Sequence, residues 1–77
     1  MADTSYNGWK NRETWNVALY IQNDYQLYQI ALKCDDYSDF LFSTHKIRGA
    51  YTPDGVLWHS SKISWPEINS MLRELRS

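Results

Sequence analysis

The sequence predicts a mainly α-helical fold: a compact single domain of three or four helices over residues 1–77, with a small β-hairpin as an option around residues 48–60. Three observations predict this fold. Apolar residues recur at helical spacing in separate stretches. Residues that cap helices stand at the starts of those stretches. A composition of 43% hydrophobic and 22% charged residues is typical of a globular protein.

The first helix is predicted to begin at Asn11 or Arg12, after a polar lead over residues 1–10, because Asn is a good N-cap. Its apolar residues cover an arc of about 200°, which predicts a central helix with Trp15 in the core. The outward strip is predicted to carry Arg12, Asn16, Tyr20 and Asn23. Asn16 is unfavourable inside a helix, and we expect its side chain to bond to residues 7–9 or to face a partner.

Two further helices are predicted before residue 48. Asn23-Asp24 is a tight junction, one member of which caps a second helix, and Asp35-Asp36 ends that helix. A third short helix is predicted over residues 38–47. The second helix places Leu27, Ile30, Ala31 and Cys34 at i, i+3, i+4 and i+7.

A turn and a final helix complete the chain. Thr52-Pro53-Asp54-Gly55 suits a type I turn, flanked either by hairpin strands or by an ordered loop with Trp58 packed down. Ser64-Trp65-Pro66-Glu67 is a capping-box sequence, and it predicts an amphipathic helix that buries Trp65.

Composition argues against several functional classes. A net charge of −1 disfavours a dedicated nucleic-acid binder, because phosphate neutralisation dominates the affinity of such proteins. The single cysteine, Cys34, cannot form an internal disulfide, which favours a reducing compartment. No apolar run is long enough for a membrane span, and no secretion signal begins the chain, so we expect a cytoplasmic protein that does not bind membranes.

Catalysis, cofactors and metals have little support. Asp35, Asp36 and Asp39 crowd one junction and are typical of a solvated helix boundary. The spacing of Cys34, His45 and His59 matches no known metal motif. We therefore expect no enzyme activity, no cofactor and no metal site.

One stretch carries a resemblance. The sequence has Asn7-Gly8-Trp9, then Asn11-x-Glu13-Thr14-Trp15-Asn16-Val17-Ala18-Leu19, then Ile21-x-Asn23-Asp24. This pattern resembles a family of short uncharacterised proteins often encoded by bacteriophages, including cyanophages. The family brings no known activity, cofactor or catalytic residue. The resemblance implies a phage product of the kind that acts on host proteins in the cytoplasm of a bacterial host cell.

Aromatic residues make up 16% of the chain, more than one small core can hide. Exposed Tyr and Trp are common interface anchors, which predicts a non-catalytic protein-binding module that docks on a host protein and modulates or inhibits it. Two surfaces are candidates, of which the turn is favoured, and Tyr25 and Tyr28 are the fallback. The partner-binding candidates are Tyr51, Trp58 and His59 on the turn and Arg12, Asn16 and Tyr20 on the first helix.

Two other interpretations use the same aromatics. A homodimer would bury them as well as a host protein would, and the sequence does not separate the two. A small accessory protein that binds single-stranded nucleic acid is the alternative function, since Tyr51 and Trp58 lie near Arg48 and Lys62 and could stack bases beside positive charge.

Overall fold

Four α-helices lie within residues 8–76, the part of the chain that the computed structural model describes: α1 (Arg12–Asn23), α2 (Tyr25–Ala31), α3 (Tyr37–Thr44) and α4 (Trp65–Arg76). Helix α1 packs against α2 and α4, and α3 packs against the same two helices. The predicted mainly α-helical, four-helix domain is confirmed. Most of the predicted polar lead over residues 1–10 lies outside the described residues.

The start of α1 and its junction with α2 follow local capping rules. The Asn11 carboxamide oxygen accepts from the backbone N–H of Thr14 at 2.9 Å. Asp24 both ends α1 and begins α2: its N–H donates to the Tyr20 carbonyl at 3.0 Å, and its carboxylate accepts from the Leu27 N–H at 3.0 Å. These bonds satisfy donors and acceptors that helix ends leave open, so the predicted Asn11 cap and Asp24 junction are confirmed.

The second and third helices are displaced from their predicted ends. Helix α2 stops at Ala31, so Cys34 follows the helix, although its side chain is buried as predicted. Asp36 is the N-cap of α3, and its carboxylate accepts from the Asp39 N–H at 2.9 Å. Helix α3 therefore starts one residue before the predicted Ser38 and ends at Thr44 instead of Ile47.

The segment between α3 and α4 holds one antiparallel bridge, Tyr51 to Leu57, in place of the optional hairpin strands. Thr52 to Gly55 forms the predicted turn, closed by the Gly55 N–H donating to the Thr52 carbonyl at 2.9 Å. Gly55 has a φ of 88°, a left-handed conformation that suits glycine because it has no Cβ. The segment therefore combines both predicted alternatives: it contains a short antiparallel bridge, and the Trp58 side chain packs into the core.

Helix α4 begins where its capping sequence predicts, but distant residues supply the bonds. The Ser64 N–H donates to the Thr14 hydroxyl at 2.8 Å, and the Glu67 carboxylate accepts from the Lys10 N–H at 2.8 Å. In a capping box these two groups would bond to each other. The contacts instead attach the N-terminus of α4 to the start of α1.

The largest buried side chains differ from those predicted. Trp58 is 2% exposed, whereas Trp65 is 37% exposed and Trp15 is half-buried, so the prediction that Trp15 and Trp65 are the core tryptophans is wrong. Tyr37 is also buried, and its hydroxyl donates to the Trp58 carbonyl at 2.6 Å. The ring of Phe40 lies 6.1 Å from both the Tyr37 and the Trp58 ring, so these three side chains form an aromatic centre.

Candidate functional site

The bridge between Tyr51 and Leu57 determines which side chains of the turn segment reach the surface. Hydrogen bonds flank this pair on both sides: Thr52 N–H to the Val56 carbonyl at 2.7 Å, and Trp58 N–H to the Ala50 carbonyl at 3.0 Å. Tyr51 and Leu57 are therefore a non-hydrogen-bonded pair, whose side chains stand close together on one face. That face is exposed, with Tyr51 at 59% and Leu57 at 38%.

The opposite face of the bridge is buried. Alternation along the segment turns Thr52, Val56 and Trp58 inward, and all three are buried. The Trp58 ring packs on Phe40, and the Arg48 guanidinium lies over the Trp58 ring, 5.6 Å from its centroid. Trp58 was predicted as an exposed partner anchor, and this prediction is wrong because its position in the bridge directs the ring into the core.

Asn16 is a second predicted surface residue that is buried. Its side-chain amide donates to the Asp54 carboxylate at 2.7 Å, and its carboxamide oxygen accepts from the Thr52 hydroxyl at 2.6 Å. The Thr52 hydroxyl in turn accepts from the Val56 N–H at 3.1 Å. Since a carboxylate only accepts, the orientation of the Asn16 amide is fixed. The prediction that Asn16 faces outward is wrong, because its side chain is buried and connects α1 to the turn. The expected bond to residues 7–9 falls partly outside the described residues.

Tyr20 and Tyr51, one residue from each of the two surfaces predicted as rivals, line one groove of about 210 Å³. Tyr20 lies one helical turn after Asn16, on the same side of α1. We name this site the Tyr20–Tyr51 groove, and its lining residues include Tyr20, Asp24, Ile47, Arg48, Tyr51 and the inward-facing Trp58.

The polar groups of the groove are largely fixed by internal contacts. Burial lowers the pKa of the Arg48 guanidinium, which nevertheless donates to the Leu41 carbonyl at 2.9 Å and to the Thr44 hydroxyl at 2.8 Å. Burial, and after it a hydrogen bond to the Asp54 carboxylate, raises the pKa of the Tyr20 phenol, so this phenol is also engaged within the protein. The groove can therefore offer the Tyr51 phenol, aromatic and aliphatic surface, and the Asp24 carboxylate.

The remaining partner-binding candidates lie elsewhere. Arg12 is exposed at the first position of α1 and is not among the described residues that line the groove. His59 is also exposed, but it lines a different groove with Phe42 and Trp65. The prediction that one surface unites His59 with Tyr51 is therefore wrong.

Two exposed apolar residues close to Tyr51 were not predicted from the sequence. Ile47 is 46% exposed; the sequence predicts it as the last residue of the third helix, which in fact ends at Thr44. Leu57 is the bridge partner of Tyr51, and only the register of the bridge identifies it. Leu57 lies between Val56 and Trp58, which are both buried. In an extended segment this alternation indicates that Leu57 faces outward, but only once the strand pairing is known.

Among residues 8–76, no three His, Cys, Asp or Glu side chains cluster closely enough to hold a metal ion. In the same part of the chain, no helix has the length and apolar content needed to cross a bilayer.

Comparison with known proteins identifies the family of the chain but no individual relative. No curated protein and no solved structure has significant similarity to it. A family model matches residues 2–77, nearly the whole chain. The chain belongs to this family, which is described as a family of unknown function (DUF7249).

Proposed function

We propose that the chain is a non-catalytic protein-binding module, encoded by a phage, that docks on a bacterial host protein in the host cytoplasm and modulates or inhibits it. The docking surface is the Tyr20–Tyr51 groove. The observation that carries the proposal is that Tyr20 and Tyr51, one residue from each predicted surface, line one groove together with the exposed side chain of Ile47. The phage origin is supported by the sequence resemblance alone.

The exposed apolar rim supports binding to a protein. Tyr51, Ile47 and Leu57 are 59%, 46% and 38% exposed. Full burial of side chains of this size contributes about 1.5–3 kcal/mol each, and Tyr is enriched among interface residues whose loss weakens binding most. A partner that covers this rim would gain hydrophobic contact area together with a hydrogen bond from a phenol.

The rigidity of the groove also supports binding. The turn next to Tyr51 is attached to α1 by a buried hydrogen bond, in which the Thr52 hydroxyl donates to the Asn16 carboxamide oxygen at 2.6 Å. A surface held in its binding geometry before association loses less conformational entropy when a partner binds. This network gives buried Asn16 a function in the site although it cannot touch a partner.

The nucleic-acid alternative receives less support. It used Tyr51 and Trp58 as stacking residues beside Arg48 and Lys62, but the Trp58 ring is buried and Arg48 lies over it. The Arg48 guanidinium is also engaged with the end of α3 through Leu41 and Thr44. Trp58 and Arg48, one stacking residue and one cation of this alternative, thus make their contacts within the fold.

Affinity capture with matched variants tests the proposal. The tagged chain is incubated with nuclease-treated bacterial host lysate, and captured proteins are identified by mass spectrometry. Any captured protein is then purified and titrated calorimetrically against wild type, the Tyr51→Ala/Ile47→Ser double variant, and Tyr25→Ala. Tyr25 is a suitable control because it is 78% exposed and does not line the groove among the described residues.

The proposal predicts saturable binding by wild type and Tyr25→Ala, and a loss of at least about tenfold in affinity for the groove variant, equal to 1.4 kcal/mol. All variants should keep the wild-type melting temperature, because the substituted side chains are exposed. Equal binding by the groove variant would refute the assignment of the groove. Binding that depends on intact nucleic acid in the lysate would favour the alternative function.

A further inference from the structure

A second apolar face surrounds Phe42 and shares no described lining residue with the Tyr20–Tyr51 groove. Helix phase explains its exposure. Tyr37, Phe40, Leu41 and Thr44 repeat at i, i+3, i+4 and i+7 and are buried, so Phe42 is directed away from the core. We name this surface the Phe42 face, and its described lining residues are Ser38, Leu41, Phe42, His45, His59 and Trp65.

The exposed aromatic area of this face is large for so small a domain. Phe42 is 76% exposed and Trp65 is 37% exposed. The His45 ring lies 5.8 Å from the Phe42 ring, and its Nδ1–H donates to the Phe42 carbonyl at 2.8 Å, which orders the imidazole beside the aromatic ring. Trp65 meets the buried Tyr37 ring edge-on at 5.2 Å, so one side of its indole is anchored and the other is open.

The shape of the Phe42 face suits contact with an identical face. A symmetric two-fold interface applies the same patch to itself, so a projection and a hollow must lie side by side within that patch. Phe42 is the projection. Next to it lies a groove of about 380 Å³ that Leu41, His59 and Trp65 help to line.

The charge of the face also suits its own copy. Among its described lining residues there is no Lys, Arg, Asp or Glu. Two copies can therefore meet there without placing a Lys, Arg, Asp or Glu side chain of one lining against the same side chain of the other. The Tyr20–Tyr51 groove differs in this respect because it includes Asp24 and Arg48.

We propose that the Phe42 face is the interface of a symmetric homodimer, in which Phe42 of each copy enters the groove of the other. This interface is independent of the host-protein groove and does not require that the proposed host-binding function be correct. The Phe42 face would then serve self-association, and the Tyr20–Tyr51 groove would serve another protein.

Sedimentation velocity and light scattering test the dimer on the full chain, over a range from about 5 to about 200 µM, because self-association depends on concentration. Wild type is compared with Phe42→Ser and with Tyr25→Ser. The control is closely matched, since Tyr25 is 78% and Phe42 76% exposed. A third variant, Ser38→Arg, adds a cation to the exposed edge of the face on each copy.

We expect wild type and Tyr25→Ser to reach twice the monomer mass as concentration rises. Phe42→Ser and Ser38→Arg should stay monomeric, with circular dichroism spectra like that of wild type. If Phe42→Ser fails to fold, Ser38→Arg decides alone, because an exposed helix position tolerates Arg. A wild type that is monomeric across the whole range would overturn the proposal. So would a dimer that persists in a folded Phe42→Ser or Ser38→Arg chain, or one that Tyr25→Ser abolishes equally.

Discussion

Replacement of Thr52 by Val tests the network that joins the turn to α1. Thr52 is 3% exposed, and its hydroxyl makes two hydrogen bonds: it donates to Asn16 at 2.6 Å and accepts from the Val56 N–H at 3.1 Å. Valine has nearly the same shape as threonine, so the substitution removes the hydroxyl without opening a cavity. The carboxamide oxygen of Asn16 and the N–H of Val56 then lose their partner inside the protein.

The magnitude follows from these two groups. Each buried polar group left without a partner costs about 1–3 kcal/mol, for a total of about 2–6 kcal/mol. Burial of the new methyl group returns about 0.8 kcal/mol. We therefore expect Thr52→Val to lower the free energy of unfolding by about 1–5 kcal/mol, with a central value of about 3 kcal/mol. This is a large part of the roughly 4–12 kcal/mol available to a chain of this length.

Urea unfolding followed by circular dichroism measures this loss, and Thr52→Ser is the matched control. Serine keeps both hydrogen bonds and loses only a methyl group, so its cost should be about 1 kcal/mol. The reasoning is refuted if Val and Ser variants have the same unfolding free energy within about 0.5 kcal/mol, since the hydroxyl would then contribute nothing measurable.

Three further predictions concern the core. Trp58→Ala should cost about 3–5 kcal/mol and Trp65→Ala markedly less, because the first side chain is buried and the second partly exposed; equal melting temperatures would contradict this order. Burial raises the pKa of the Tyr37 phenol, so the folded state holds this proton after the unfolded chain has lost it. The contribution of Tyr37 to the free energy of unfolding is therefore fully present below about pH 10. Above that pH, the free energy of unfolding should fall by up to about 1.4 kcal/mol per pH unit. Tyr37→Phe should make this alkaline loss less steep, and an unchanged slope would argue against the burial of Tyr37. Burial also raises the pKa of the Cys34 thiol, so a thiol reagent at about pH 8 should modify it at the rate of unfolding, and rapid reaction of the native protein would contradict its burial.

Local signals predicted the helix starts well. Asn11 and Asp24 each satisfy an N–H three residues later, an interaction contained within one helical turn. The same logic failed for the end of α2, where the apolar spacing continues to Cys34 after the helix has stopped. Spacing reports which side chains are buried, and a buried residue next to a helix satisfies the pattern as well as one inside it.

Long-range contacts account for what sequence reasoning missed. The capping sequence at Ser64 predicts the start of α4, yet Thr14 and Lys10 supply the partners, and no local rule could identify them. Asn16 shows the same limit. Its poor fit to a helix interior was a correct sign of a special role, but its partners, Thr52 and Asp54, are more than thirty residues away in sequence.

The candidate site was predicted in part. Tyr20 and Tyr51 were both selected, and the structure places them in one groove. Trp58 was selected wrongly, because whether a side chain of a short bridge faces inward or outward depends on the register of the pairing, which the sequence leaves open. With the register known, Leu57 and Tyr51 are the exposed pair.

Site-specific photo-crosslinking tests the central claim most directly. A benzophenone amino acid is placed at Tyr51, on the rim of the groove, or at Tyr25, an equally available aromatic position outside its described lining. Each protein is irradiated in living bacterial host cells with and without excess untagged wild type. A protein-binding groove predicts a discrete crosslinked host protein from position 51 that the untagged chain competes away, and none from position 25. The same host protein crosslinked equally from both positions, or from position 25 alone, would contradict the claim that the Tyr20–Tyr51 groove is the docking surface.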